Sequence, residues 1–175
     1  MCYSVYISNP IVGAIIVENT KQSVSNIFQQ LNDRANLLYK FAMLYSDYVA
    51  ENQDYGTGDL ISMVEVHTLT AIEDNPGISV TELALMWNRT KGAISQTVTK
   101  LEKKGYVIRK KHTGKAKTVL LVPTESGIRL SRAHKMHDSV EVSKTMNDLL
   151  LAGCTVEEID AFFHVVTKYI SILEN

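Results

Sequence analysis

The stretch between Ser79 and Gly105 constrains the fold of this chain most, because it holds two helix starts in close succession. Ser79 and Glu82 form a Ser-x-x-Glu capping box, which satisfies the free backbone amides at a helix N-terminus. Thr90 supplies a cap for the next helix, and Gly105 is a natural stop for that helix. Two short helices joined by a tight turn are therefore predicted.

Apolar residues at helical spacing indicate the buried faces of these two helices. The second helix carries Ile94, Val98 and Leu101 along one side. The first helix is expected to turn three further apolar side chains towards the core, namely Leu83, Leu85 and Trp87.

Two β-prone runs follow the second helix. They extend from Tyr106 to Lys111 and from Thr118 to Val122, and the link between them contains Gly114. Runs of this kind on either side of a Gly-containing link are typical of a β-hairpin. We predict a hairpin whose basic tip carries Lys115 and Lys117.

The segments on both sides are predicted to be helical. Between Lys21 and Val49 the apolar residues alternate in steps of four and three, as in a coiled-coil seam, so this long helix is expected to have a partner. A second helix, capped by Asp59, is expected to end at Asp74 before the turn Asn75–Gly77.

The C-terminal third adds two more helices. One is expected from Thr124 to Leu151, with Gly127 as an early weak point, and the last begins at a Thr155/Glu158 capping box and carries a wide apolar stripe. Both ends of the chain thus offer more apolar helix surface than two short helices and a hairpin need. This favours a homodimer over burial within one chain.

Together these elements predict a mostly α-helical protein with a small β-hairpin wing, that is, a winged helix-turn-helix inside an α-helical homodimer. The expected parts are an N-terminal arm (1–20), a dimerisation helix (21–58), a winged helix-turn-helix region (59–122) and C-terminal dimerisation helices (123–175).

The distribution of charge points to a polyanion as partner. The whole chain has a net charge of −1. However, the segment from Asn88 to Lys117 holds ten of the 18 basic residues and one acidic residue, Glu102. Such a local excess is the electrostatic footprint expected of a surface that binds nucleic acid.

Two further features bear on where the protein works. The apolar run Ile11–Val17 is short and has no Lys or Arg before it, so it is a poor signal peptide. No stretch approaches the roughly 20 apolar residues of a membrane span. We expect a cytoplasmic protein with no membrane partner, and the two cysteines are too few and too far apart for a disulfide framework.

A helix followed by a basic hairpin suits double-stranded DNA, because the helix fits the major groove while the hairpin reaches phosphates or the minor groove. Gln pairs with adenine, Lys with guanine, and Ser or Thr with either. The amides near Thr90 suit a phosphate, and Gly92 keeps the helix end slim. The predicted DNA-contacting residues are Thr90, Lys91, Gly92, Ser95, Gln96, Thr99, Lys100, Arg109, Lys110, Lys111, Lys115 and Lys117.

Four runs resemble the MarR family of bacterial regulators: Ile78–Ala84, Thr90–Gln96, Leu101–Val107 and Thr124–Gly127. The resemblance extends from about Asn32 to the C-terminus. It implies a triangular homodimer of the first, fifth and sixth helices that binds a short palindrome and responds to a small effector. Where many members have an Asp-x-Arg-like motif at the wing tip, this chain has Lys115-Ala116-Lys117, so we expect the wing to add affinity more than sequence discrimination.

The zinc-responsive branch of the family is similar at His67 and His134. That branch has a further ligand one turn after His134, where this chain has Asp138, and a carboxylate late in the first helix, where Asp47 or Glu51 would serve. The resemblance therefore implies zinc as a candidate cofactor and effector, and two imidazoles with carboxylates suit Zn²⁺.

Two other interpretations stay open. His67 and His134 are also typical of core or interface histidines whose hydrogen bonds are all made within the protein. The effector is then an organic molecule in a pocket lined by tyrosines: Tyr39, Tyr45, Tyr48 and Tyr55.

We expect no enzymatic activity, because no Gly-rich phosphate loop, Gly-x-Ser-x-Gly, His-Glu-x-x-His or Cys-x-x-Cys motif occurs. Repression is the expected mode, since a bound dimer blocks polymerase by occupancy alone. The alternative is a winged helix that binds another protein, for which binding would fall less steeply with salt.

Overall fold

The structure, a computed structural model, describes residues 21–111 and 119–174, with side chains from residue 25 onward. It divides into two compact units, Met1–Tyr48 and Val49–Asn175. The predicted arm (1–20) and hairpin tip, including Lys115 and Lys117, lie outside the described residues. No helix in the described part is long and apolar enough to cross a membrane.

The first unit contributes one long helix, α1 (Lys21–Ala50), as the apolar seam predicts. Its large apolar side chains are exposed, among them Phe28, Leu31 and Leu38. Near its C-terminal end the ring of Tyr45 lies 5.8 Å from that of Phe41 and 6.1 Å from that of Tyr48. Exposed apolar side chains in this number are uncommon on one helix of a monomeric protein.

The second unit contains the remaining elements. They are β1 (Asn52–Gln53), β2 (Ile61–Ser62), α2 (Met63–Asp74), α3 (Val80–Met86), α4 (Lys91–Lys103), β3 (Val107–Lys111), β4 (Val119–Pro123), α5 (Glu125–Leu151) and α6 (Val156–Leu173). Strands β1 and β2 pair antiparallel, as do β3 and β4, with Arg109 opposite Leu121. The prediction of a mostly α-helical winged helix-turn-helix is confirmed.

Three of the four predicted helix caps are confirmed, and Thr124, predicted as the start of a helix, is also a cap. The Ser79 and Thr155 hydroxyls accept hydrogen bonds from the amides of Glu82 and Glu158, and both capping boxes are complete. Thr90 and Thr124 cap α4 and α5 in the same way. These signals act within one turn of helix, so sequence alone identifies them.

The cap predicted at Asp59 is wrong. Helix α2 begins three residues later, where the Ser62 hydroxyl accepts from the amide of Glu65 and the Glu65 carboxylate accepts from the amide of Ser62. The short β1–β2 hairpin holds the chain before Ser62 in extended form. Asp59 instead accepts a hydrogen bond from the Tyr106 hydroxyl.

The core of the second unit surrounds α2, and two predicted core residues are not part of it. Leu85 is 77% exposed and Trp87 is 42% exposed. Helix α3 has only seven residues and buries Leu83 and Ala84. Since Leu85 follows Leu83 by two positions, it lies about 200° further round the helix and faces away from the core.

Gly127 proves to be a packing requirement where we expected a weak point. It is buried near the start of α5. A Cβ at this position would overlap the backbone carbonyl of Tyr106 and would lie 3.2 Å from Leu69 Cδ1. The Thr124 hydroxyl also donates to the carbonyl of Gly105 at 2.7 Å, so the start of α5 is held against the end of the α4 segment.

Candidate nucleic-acid interface and histidine cluster

Helix α4 has one buried face and one free face. Ile94, Val98 and Leu101 are buried, as their spacing predicts. On the other side of the helix and around its N-terminus, five of the predicted DNA-contacting residues are exposed: Thr90, Lys91, Gly92, Gln96 and Lys100. The Thr90 hydroxyl accepts from the amide of Ala93 at 3.2 Å, and the exposed amides around it are free to meet an anion.

Ser95 and Thr99 are half-buried, and the Thr99 hydroxyl and the Ser95 carbonyl are engaged within the chain. The Thr99 hydroxyl donates to the carbonyl of Ser95 at 2.8 Å. The same hydroxyl accepts from Nη2 of Arg109 at 3.1 Å. Thr99 therefore links the free face of α4 to the wing.

Arg109 on β3 uses both ends of its guanidinium within the protein. Nη2 lies 3.5 Å from the Ser95 carbonyl in addition to its bond with Thr99. Nη1 lies 3.3 Å from the Glu102 carboxylate. The planar fork of Arg suits such a double contact, and it neutralises the single acidic residue of the basic segment.

Basic side chains lie on both sides of α4. Lys103, Lys110 and Lys111 are exposed, while Nζ of Lys104 lies 3.0 Å from the buried carboxylate of Glu65 and 3.1 Å from the carbonyl of Leu60. Burial alone would raise the pKa of Glu65. The hydrogen bonds from Lys104 and from the amide of Ser62 outweigh it and hold this pKa below its ordinary value.

A second candidate site lies where α2 meets α5. His67, His134 and Asp138 each offer a ligand atom, and these atoms all lie within 4.8 Å of one another. His134 is only 1% exposed, and its Nε2 lies 3.2 Å from Oδ2 of Asp138. Its ring contacts those of His67 and Tyr55, with centroids 4.6 Å and 4.9 Å away.

The protonation of His134 suits a ligand. Burial, aided by His67, lowers the pKa of His134 against the opposing effect of Asp138, so the imidazole is neutral at pH 7. Its Nδ1 is buried and has no hydrogen-bond partner within the described part of the chain, and the same holds for Nδ1 of His137. A buried nitrogen without a partner is costly unless something occupies the position.

Three of the five predicted metal ligands therefore come together. Glu51 belongs to the same unit but is exposed and lies outside this group. Asp47 belongs to the first unit. Of the four tyrosines considered for an organic effector, Tyr55 is buried against His134 and His137, and the other three lie on α1.

Two contacts escaped the sequence analysis. Glu102 pairs with Arg109 across the joint between α4 and β3, and the ring of Trp87 lies beside that of His67. The only sequence signal for the first contact is a pair of opposite charges seven residues apart, one at the end of a helix and one at the start of a strand. The second joins residues 20 positions apart, and no local pattern indicates it.

The order α2, α3, α4 and a two-stranded antiparallel wing defines a winged helix-turn-helix protein. Residues 61–119 match the model of the MarR family. The chain is 27% identical over 124 residues to the uncharacterised HTH-type transcriptional regulator YhjH of Bacillus subtilis (strain 168). This alignment covers 68% of this chain and 71% of YhjH. The winged helix-turn-helix of this chain is therefore similar to the MarR family.

Solved structures share this fold. MepR of S. aureus, in a complex with DNA, has 23% identity and a TM-score of 0.61, covering 77% of this chain and 96% of that chain. ZitR of Lactococcus lactis, a zinc-responsive MarR family member, has 17% identity and a TM-score of 0.61, covering 80% of this chain and 99% of that chain.

Proposed function

We propose that this protein binds double-stranded DNA in a sequence-specific manner, with α4 in the major groove and the wing on the flanking backbone. The observation that carries the proposal is the division of α4 into an apolar buried face and a free face of Lys91, Gln96 and Lys100. An α-helix with such a face fits the major groove. MepR, a protein of the same fold, has been solved in a complex with DNA, which supports DNA as the partner.

The residues of this surface have two kinds of role. Thr90 and the amides after it bind a phosphate at the positive end of α4. Gln96, Lys91 and Ser95 read base edges. Lys110, Lys111, Lys115 and Lys117 contact the backbone and add affinity that does not depend on sequence.

The functional unit is a homodimer. Helix α6 is exposed along a stripe that includes Phe162, Tyr169 and Ile170, and α1 exposes Phe28 and Leu38. Exposed apolar surface of this extent on either helix is uncommon on monomers. A two-fold dimer presents two copies of α4, so the operator is expected to be palindromic, with half-sites one helical turn apart.

The dimer acts as a repressor, because a regulator bound across a promoter excludes polymerase without needing a dedicated contact surface. The test is fluorescence anisotropy on DNA from upstream of its own gene, across a range of salt concentrations, followed by transcription from the same promoter in vitro. A slope of log K against log salt steeper than about −4 indicates multiple phosphate contacts. A shallow slope would instead favour the protein-binding alternative, and unchanged or increased transcription would contradict repression.

The effector is a zinc ion held by His67, His134 and Asp138. Two imidazoles and a carboxylate are a donor set that Zn²⁺ accepts, and the closeness of their ligand atoms, all within 4.8 Å of one another, supports occupation of the cluster. Glu51, the predicted carboxylate that belongs to the same unit, is the candidate for a further ligand. The zinc-responsive neighbour ZitR has the same fold.

The zinc test compares DNA affinity of chelator-treated protein with and without micromolar zinc. We expect a shift in wild type that disappears in His134→Ala. His164→Ala is the matched control, because His164 lies on α6 outside this cluster. Equal affinity in both conditions would remove zinc as the effector and leave an organic ligand as the candidate.

A further inference from the structure

An aromatic contact joins the histidine cluster to the end of helix α3. The ring centroid of Trp87 lies 6.3 Å from that of His67, with the planes at 68°. Trp87 is the C-cap of α3, and its amide donates to the carbonyl of Leu83. It therefore joins the last turn of α3 to a proposed metal ligand on α2.

The residue after Trp87 has an unusual backbone. Asn88 has φ of +47°, and among the described residues it is the only non-glycine with positive φ. Asn adopts the left-handed conformation more readily than most other non-glycine residues, so it suits a tight turn at this position. Here the amide of Asn88 donates to Leu85 and that of Arg89 donates to Ala84. The next residue, Thr90, is the N-cap of α4.

His67 belongs to both contacts. The centroid of the His67 ring lies 4.6 Å from that of His134 and 6.3 Å from that of Trp87. A ligand that draws the His67 nitrogen towards His134 and Asp138 must turn or shift the His67 ring. Because the Trp87 ring lies against that ring, the Trp87 side chain must move as well. This movement reaches the turn between α3 and α4, which sets the direction of α4.

We propose that Trp87 is the positioning residue that couples occupancy of the histidine cluster by a divalent cation to the orientation of the recognition helix. This inference rests on the zinc response proposed above. In this role Trp87 binds neither the cation nor the DNA. Through Trp87, binding of the cation changes the affinity for DNA. In typical allosteric proteins one ligand changes the affinity for the other about 5-fold to 150-fold.

The first measurement uses intrinsic fluorescence, because Trp87 is the only tryptophan of the chain. Zinc added to chelator-treated full-length protein in the absence of DNA should change the Trp87 emission in a saturable manner that the chelator reverses. In His134→Ala the change should be absent. Saturable zinc binding in wild type with no change in emission would overturn the proposal.

The second measurement separates coupling from binding. The DNA affinity ratio with and without zinc is measured for wild type, Trp87→Ala, Trp87→Phe and the control Leu85→Ala, and zinc affinity is measured by competition with a chelating dye. We expect Trp87→Ala to bring the ratio to within about twofold of unity while zinc affinity changes less than about threefold, and Trp87→Phe to keep most of the ratio. The exposed side chain of Leu85 comes two residues before Trp87 in the sequence, and Leu85→Ala should keep the whole ratio.

A ratio in Trp87→Ala equal to that of wild type would overturn the role of Trp87 and leave the zinc response intact. If wild type itself shows no effect of zinc on DNA affinity, the zinc response and this inference both fail, while DNA binding is unaffected. Should Trp87→Ala not fold, as judged by thermal melting, Trp87→Leu takes its place with the same expected result.

Discussion

Nη2 of Arg109 on the wing donates to the hydroxyl of Thr99 on the recognition helix at 3.1 Å. With Nη1 of the same side chain 3.3 Å from Glu102, two contacts fix β3 to the free face of α4. A wing and a helix that are joined in this way approach DNA as one body. The sequence predicts that Arg109 contacts DNA, yet both of its terminal nitrogens already have partners within the protein.

We predict that Arg109 acts by positioning. Arg109→Lys retains the charge but cannot make both contacts, since an ammonium has no planar fork. It should lower the free energy of unfolding by about 0.5–1.5 kcal/mol and weaken operator binding without changing the salt slope. A loss of about 0.9 in that slope would instead show that Arg109 contacts a phosphate. Lys110→Ala is the control, and it should change the slope.

Base-reading and backbone-binding residues should separate on DNA of different sequence. Gln96→Ala is expected to cost about 1–3 kcal/mol on the operator and little on random DNA, because Gln96 is exposed on α4 and reads a base edge. Lys115→Ala should weaken both alike. Anisotropy on matched operator and scrambled duplexes measures this, and equal losses on the two duplexes in both variants would contradict the assigned roles.

Two glycines should respond in opposite ways to the same substitution. Gly127→Ala is expected to lower the free energy of unfolding by about 3 kcal/mol or more, because its Cβ overlaps the Tyr106 carbonyl. Gly92→Ala meets nothing closer than 4.0 Å and should stabilise the protein by about 0.5 kcal/mol, yet weaken DNA binding by adding a methyl where the backbone approaches phosphate. Chemical denaturation and anisotropy test both. A Gly127→Ala protein as stable as wild type would refute the packing role.

The pair Lys104–Glu65 should make stability depend on pH. The pKa of Glu65 lies below its ordinary value of 4.5 in the folded protein, so the stabilisation is present above pH 4.5 and is lost as pH falls through the folded pKa. Lys104→Ala leaves a buried carboxylate without its cation and should cost about 1–3 kcal/mol at pH 7. The difference from wild type should shrink towards pH 3, while exposed Lys103→Ala should show little effect at either pH. A difference that stays constant with pH would exclude Glu65 as the cause.

The helix boundaries could be predicted wherever the signal and its effect lie within one helical turn. Ser79 with Glu82, and Thr155 with Glu158, bond to each other's backbone in any context that permits a helix. The apolar period of α4 likewise determines its buried face before any packing is known. Asp59 shows the limit of such local reasoning. Asp59 and Ser62 are both residue types suited to capping, and the β1–β2 hairpin, a tertiary arrangement, decides for Ser62.

The sequence by itself determined the winged helix-turn-helix, the long α1 and the basic segment, because caps, periodicity and charge act over a few neighbouring residues. Only the tertiary structure decided that Gly127 must lack a side chain, that Arg109 joins the wing to α4, and that His67, His134 and Asp138 meet beside Trp87. These contacts join residues from different elements. Their distances depend on how whole helices pack, and no pattern within one segment carries that information.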